Sequence, residues 1–243
     1  MRLLAVAIYL VLYTIISIPL FLILFVVGKI NSRTKAIISQ KIVIYLGFRP
    51  ILFLSGVKLT VKGEENILKD QPALYVFNHR GFFDILACYT TAPYPTAFVS
   101  KIEIEKIPMV SLWMKYMNCL FLDREDIRKG MQTILQGIEL LKSGTSIYIA
   151  PEGKRNTGEE LLEFHEASFK LAEKSKCAVV PVALNNTDSV FEKHLPWIRK
   201  AHVIIEYCTP LYMDQMERSE KKMIGQTVRG ILSEKVKTNQ TEI

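Results

Sequence analysis

His79 and Asp84 stand five residues apart in Asn78-His79-Arg80-Gly81-Phe82-Phe83-Asp84, and together they could make a base and the carboxylate that orients it. On a regular helix five residues turn by about 500°, which would leave the two side chains on different faces. If His79 lies in the turn before a helix and Asp84 in its first turns, the carboxylate can reach Nδ1, set the tautomer and leave Nε2 free to take a proton. A lone histidine ahead of a helix is more often a solvated surface group, so its neighbours must decide. Lys101, Arg124, Lys154 and Arg155 would supply an anion pocket, arginine being suited to bidentate contact with phosphate and Gly153 allowing close backbone approach. Glu152, set among these cations, reads as an ion-pair partner that aims the arginines rather than as an acid catalyst.

Other catalytic devices are missing. The sequence has no GxSxG elbow, no GxxxxGK[ST] phosphate loop, no GxGxxG after a strand and no HExxH, and His165-Glu166 lacks a second histidine at helical spacing. A metal site is therefore unsupported, and what remains is a base that would deprotonate a substrate hydroxyl or water directly. The start of the helix after His79 is one candidate for the amides that would hold a developing oxyanion.

The elements that must position these residues alternate. Short apolar runs at 57–61, 73–77, 97–100, 119–122, 145–150, 178–184 and 202–208 read as strands, and 82–90, 107–116, 127–142 and 164–174 as helices. In 127–142, Asp126 is the N-cap, and Ile127, Met131, Ile134, Leu135, Ile138 and Leu141 mark one face at helical spacing. Strand-helix alternation predicts an α/β fold with a central, largely parallel sheet flanked by helices. In such sheets ligands gather outside the carboxyl ends of the strands. His79, Lys101, Arg124 and the 151–155 cluster each follow a predicted strand, so residues distant in sequence would converge on one sheet edge.

Charge and hydropathy divide the chain. Of 243 residues 49 % are hydrophobic, which excludes a mostly disordered protein, and the formal net charge is +7. Residues 1–63 hold eight Lys or Arg and no acid, whereas the remaining 180 hold 23 basic and 24 acidic side chains, a net of −1. The basicity thus belongs to the most apolar part of the chain and makes no case for nucleic acid. Residues 3–27 are uncharged, and as a helix would run about 37 Å against a hydrocarbon thickness of about 30 Å. The run is too long for a signal peptide and lacks a small-residue cleavage site. Pro19 makes it either a kinked span or two short helices in a hairpin. Residues 36–57, broken by Lys41, Arg49 and Pro50, suit a helix lying among headgroups. We expect residues 1–56 to be a membrane-associated helical motif and 57–243 the catalytic domain. Lys29, Arg33 and Lys35 would keep that domain on the cytoplasmic side of the cell membrane. Cys88, Cys119, Cys177 and Cys208 are widely spaced and read as buried reduced thiols.

With these residues in view the sequence resembles the glycerophospholipid acyltransferase family, and within it the bacterial 1-acyl-sn-glycerol-3-phosphate acyltransferases. Four blocks carry the resemblance, in order and at matching spacing: NH-x4-D at Asn78 to Asp84; G-x-x-F-I-D-R at Asn118-Cys119-Leu120-Phe121-Leu122-Asp123-Arg124, with Asn118 in place of the glycine; F-P-E-G-T-R-S at Ala150-Pro151-Glu152-Gly153-Lys154-Arg155-Asn156, which keeps P-E-G and the arginine but changes the flanks; and the apolar V-P-V block at Val179-Val180-Pro181-Val182-Ala183-Leu184. It covers roughly residues 57–211, and Lys101 fits the family's lysine before the second block.

The resemblance implies an acyltransferase domain on a membrane-embedded N-terminal motif. It implies His79 as the base for the sn-2 hydroxyl of lysophosphatidate, Asp84 as its orienter, and Lys101, Arg124, Glu152, Gly153 and Arg155 as the phosphate site. The acyl donor would be a thioester of coenzyme A or of acyl carrier protein, acting as co-substrate, with no cofactor. The same blocks would also fit acylation of glycerol 3-phosphate or of another lysophospholipid.

Overall fold

The computed structural model describes residues 1–243. The uncharged run is one unbroken helix, α1 (Arg2–Ile30), so Pro19 neither ends it nor divides it into a hairpin. The reversal comes instead at Asn31, whose extended backbone stops α1 and whose side chain accepts the Thr34 amide at 2.9 Å to cap α2 (Ser32–Ile42). A wide π-helical turn at Val43–Phe48 joins α2 to α3 (Arg49–Ser55), and Gly56 ends the run at φ 73. Ser32–Ser55 is thus a second helix that is, like α1, long and apolar enough to cross a membrane.

Only Val6, Ser17, Phe21 and Leu24 of α1 are buried, while Leu12, Ile16, Leu22, Ile23 and Val26 stand exposed. Such a helix associates with lipid, which takes up the apolar surface that water would reject. The buried side is tied to the rest of the chain. Trp113 Nε1 donates to Ser17 Oγ at 3.1 Å and Tyr116 hydroxyl to Phe21 O at 3.2 Å, and from the exposed start of α2 Arg33 Nη1 donates to Ser143 O at 2.6 Å.

Seven strands follow: β1 (Val57–Lys62), β2 (Ala73–Phe77), β3 (Thr96–Lys101), β4 (Leu120–Leu122), β5 (Ser146–Ile149), β6 (Ala178–Asn185) and β7 (Ala201–Tyr207). They form one sheet in the order β1-β7-β6-β2-β5-β3-β4. β6, β2, β5, β3 and β4 are mutually parallel, whereas β7 is antiparallel to β6 and carries β1 parallel to itself. The fold is therefore α/β with a largely parallel central sheet, as expected, and the carboxyl ends of its five parallel strands share one edge.

The helices of this part are α4 (Phe83–Thr91), α5 (Pro108–Tyr116), α6 (Ile127–Lys142), α7 (Lys170–Ser175), α8 (Arg218–Lys222) and α9 (Ile224–Gln240). Strand residues alternate between two cores. Tyr75, Phe77, Tyr148, Val180 and Val182 face Val6, Phe21, Leu24, Ala87 and Trp113, and Leu74, Val76, Ile147 and Val179 face Ile138, Leu141, Leu171, Val228 and Leu232. The N-terminal helices thus share a core with α4 and α5. All four cysteines are free and buried.

Two expectations are corrected. The helix expected over 164–174 is a 3-10 turn at Glu166–Phe169 followed by the short α7, because His165 N bonds Pro151 O at 3.0 Å and Leu162 N bonds Glu152 Oε2 at 3.0 Å, holding the preceding stretch against another loop. On α6 the apolar stripe does not act as one face. Thr133, Gly137, Ile138 and Leu141 are buried, whereas Ile127, Met131 and Leu135 point outward. The seat is set at Gly137, where a Cβ would come within 2.6 Å of Leu171 Cδ2. α9 is an element that we did not expect, although Ile224, Val228 and Leu232 recur every four residues.

Candidate active site

β2 and β5 are neighbours with Val76 level with Ile149, so the residues three beyond each, His79 and Glu152, emerge side by side. On the other flank Asn78 seals β2 to β6: its Nδ2 donates to Leu184 O at 2.9 Å and its Oδ1 accepts from Leu184 N at 2.8 Å. His79 sits in the turn beyond, with Asp84 in the first turn of α4, the arrangement that brings the two within reach.

His79 Nδ1 lies 2.6 Å from Asp84 Oδ2. Asp84 is fully buried, and the same Oδ2 accepts the amides of Arg80 at 2.6 Å and Gly81 at 2.8 Å. A carboxylate only accepts, so the imidazole proton belongs on Nδ1 and the lone pair on Nε2. Nε2 has no protein partner and the His79 side chain is 23 % exposed, which leaves it open to an incoming hydroxyl. The amides of Arg80 and Gly81 are occupied by Asp84 and that of Phe82 by Glu192 Oε1 at 2.7 Å, so these three are not the free oxyanion donors we expected at this helix start.

Glu152 corrects the reading of that residue as an ion-pair partner of the arginines. It is 4 % exposed and binds no cation; Oε1 accepts the His79 amide at 2.9 Å, and Oε2 accepts from Asn156 Nδ2 at 3.1 Å and Leu162 N. Three donors satisfy the buried carboxylate without an arginine. Asn156 N also donates to His79 O at 2.7 Å, so the loop after β5 grips the backbone of His79 from both sides.

The cations divide. Arg124 Nη1 donates to Gly153 O, and Gly153 makes the turn at φ 73 with the ring of His165 against it. Arg155 lies 3.8 Å from the centre of the Phe82 ring and 3.8 Å from Glu192 Oε1. These contacts link Arg124, Gly153, Glu152, Arg155, His79 and Asp84. Lys101 is exposed at the end of β3, level with Leu122 at the end of β4, but makes no ion pair; neither does the exposed Lys154.

Asn118, where the family block has glycine, takes a backbone conformation that favours glycine. It stands at φ 60 after α5, with its amide on Lys115 O at 3.2 Å and the Cys119 amide on Met114 O at 2.8 Å, a left-handed helix stop in which asparagine is the best-tolerated alternative to glycine.

Sequence reasoning passed over Asp188 and Glu192, which hold the outer side of the histidine turn. Asp188 is fully buried and pairs with Arg80 at 3.0 Å and Lys193 at 3.2 Å. Neither belongs to a block, and the only signal was a pair of acids near Lys193 in the loop after β6.

A family model described as Acyltransferase matches residues 58–185, more than half of the chain and the whole of the site up to Asn185. The chain belongs to the acyltransferase family. The acyltransferase is 29 % identical over 187 residues to the 1-acyl-sn-glycerol-3-phosphate acyltransferase of Borreliella burgdorferi, covering 77 % of this chain and 75 % of that one. It is 35 % identical over 134 residues to a chloroplast 1-acyl-sn-glycerol-3-phosphate acyltransferase of Arabidopsis thaliana, 55 % of this chain and 37 % of the relative. The crystal structure of the 1-acyl-sn-glycerophosphate (LPA) acyltransferase PlsC from Thermotoga maritima superposes with a TM-score of 0.68 over 98 % of both chains, at 22 % identity. The acyltransferase therefore shares that fold from end to end, N-terminal helices included.

Proposed function

We propose that the acyltransferase moves an acyl chain from a thioester, acyl-CoA or acyl carrier protein, to the sn-2 hydroxyl of lysophosphatidate, giving phosphatidate. His79 Nε2 takes the hydroxyl proton as the oxygen bonds the thioester carbon; the carbon–sulfur bond then breaks, and the proton passes from His79 to the departing thiolate. Asp84 holds the Nδ1 tautomer and stabilises the imidazolium between those steps. Arg124 and Arg155, with Lys101 and the Gly153 turn, hold the acceptor phosphate, while Glu152 acts on the site through the His79 backbone.

The observation that carries this reading is the 2.6 Å contact between Nδ1 and the buried Asp84 carboxylate, with Nε2 unpartnered and the side chain partly open to solvent. The relatives' activity supports the choice of acceptor. The substrate and product are amphiphiles, so an N-terminal motif over residues 1–56, seated in the cell membrane, would place the 57–243 catalytic domain where they partition. Lys29, Arg33 and Lys35 favour the cytoplasmic face for that domain.

An acceptor panel with purified full-length protein in detergent tests it. Thiol release dependent on lysophosphatidate is expected with at least one of the two donors. Turnover confined to glycerol 3-phosphate or to another lysophospholipid would overturn the acceptor assignment.

A further inference from the structure

The segment after β6 reaches back to the histidine turn at three points. Asp188 pairs with Arg80, the Phe191 ring lies 6.3 Å from that of Phe82, and Glu192 Oε1 takes the Phe82 amide at 2.7 Å. Glu192 is the pivot of this set. Its side chain is 9 % exposed, and the same Oε1 faces Arg155 Nη1 at 3.8 Å. Oε2 is buried without a partner against Gly81, where a Cβ would come within 2.4 Å of it. The Arg155 guanidinium is thus held between two groups that both depend on Glu192: the carboxylate itself, and the Phe82 ring whose backbone the carboxylate ties down.

We propose that Glu192 is a positioning residue that aims Arg155 at the acceptor's phosphate. This rests on the reading of Arg155 as a phosphate ligand. A long arginine side chain that is 39 % exposed has many rotamers, and a phosphate contact made by one of them costs ordering entropy that a fixed neighbour removes beforehand. A carboxylate at 3.8 Å is close enough to orient the guanidinium, yet beyond hydrogen-bond length, so Arg155 keeps its donors for the ligand. It also explains why a carboxylate stands in a cationic site: the cation it faces is stacked on a ring and would otherwise be free to swing out to solvent.

The test is a double-mutant cycle on full-length enzyme, using Glu192→Gln, Arg155→Ala and the pair, with KM for the phosphorylated acceptor and kcat read separately. Gln keeps an oxygen for the Phe82 amide and removes the charge that faces Arg155. Glu192→Gln is expected to raise KM about three- to tenfold with kcat within about twofold. In the Arg155→Ala background it is expected to change KM by less than about twofold, because the partner through which it acts is gone. An unchanged KM, the same factor in both backgrounds, an Arg155→Ala enzyme with wild-type KM, or a loss confined to kcat would each overturn the proposal. The cycle is run on whichever phosphorylated acceptor the wild type uses, so inactivity on lysophosphatidate counts against the acceptor assignment and not against Glu192.

Discussion

Glu152 Oε1 accepts the backbone amide of His79 at 2.9 Å, so a residue of one strand-end loop fixes the main chain of the residue that emerges beside it. The distinction between gripping a histidine and aiming an arginine changes what mutation of Glu152 should do.

Glu152→Ala is expected to behave as a folding mutant first. It leaves the part-buried amides of His79 and Leu162 without their acceptor, at about 1–3 kcal/mol for each donor left unsatisfied, while Asn156 Nδ2 keeps its bond to Glu160 O. Urea unfolding should show a loss of at least about 2 kcal/mol, with kcat falling alongside. Unchanged stability with only a raised acceptor KM would restore the ion-pair reading.

Asn118 separates shape from chemistry in the second block. Asn118→Gly is expected to leave stability within about 1 kcal/mol, and Asn118→Ala to lose about 1–2 kcal/mol, because a Cβ without the asparagine amide gains nothing at φ 60. Equal losses in the two variants would mean that the amide side chain, rather than the backbone conformation, is what the position requires.

Burial pushes the Glu192 carboxyl above the ordinary carboxylate range; its bond from the Phe82 amide and the Arg155 charge oppose the shift, and the Asp84 charge adds to it. Between the unfolded and the raised folded value the native state holds the extra proton, so this contribution to stability is present at low pH and is lost as pH rises through the folded value. Glu192→Gln removes the titration. Unfolding free energies measured from about pH 4 to about pH 8 should show the variant gaining on the wild type as pH rises. A difference between variant and wild type that stays constant, or that moves in the wild type's favour as pH rises, would contradict the shift.

Much of the fold was legible because buried parallel strands are short continuous apolar runs, of which Leu74-Tyr75-Val76 is typical, separated by amphipathic helices such as α6. Strand direction was not. The run 201–207 reads alike whichever way it points, and only the pairing of Val182 with Tyr207 reveals the reversal of β7. The turn that joins His79 to Asp84 was legible because five residues admit one productive geometry, but the role of Glu152 was hidden: a glutamate next to Lys154 and Arg155 in sequence faces main-chain donors in space. Glu192 lay further out of reach, since its partners are 110 and 37 positions away and no periodicity links them.

The central claim is that His79, held by Asp84, takes the proton of the acceptor hydroxyl. It is tested most directly by the kcat of His79→Ala, measured as thiol release in detergent with lysophosphatidate and the donor the wild type uses. Loss of the base is expected to lower kcat by about 10²–10⁴-fold, with membrane association and unfolding midpoint retained. A folded, membrane-associated His79→Ala enzyme that turns over at the wild-type rate would contradict it.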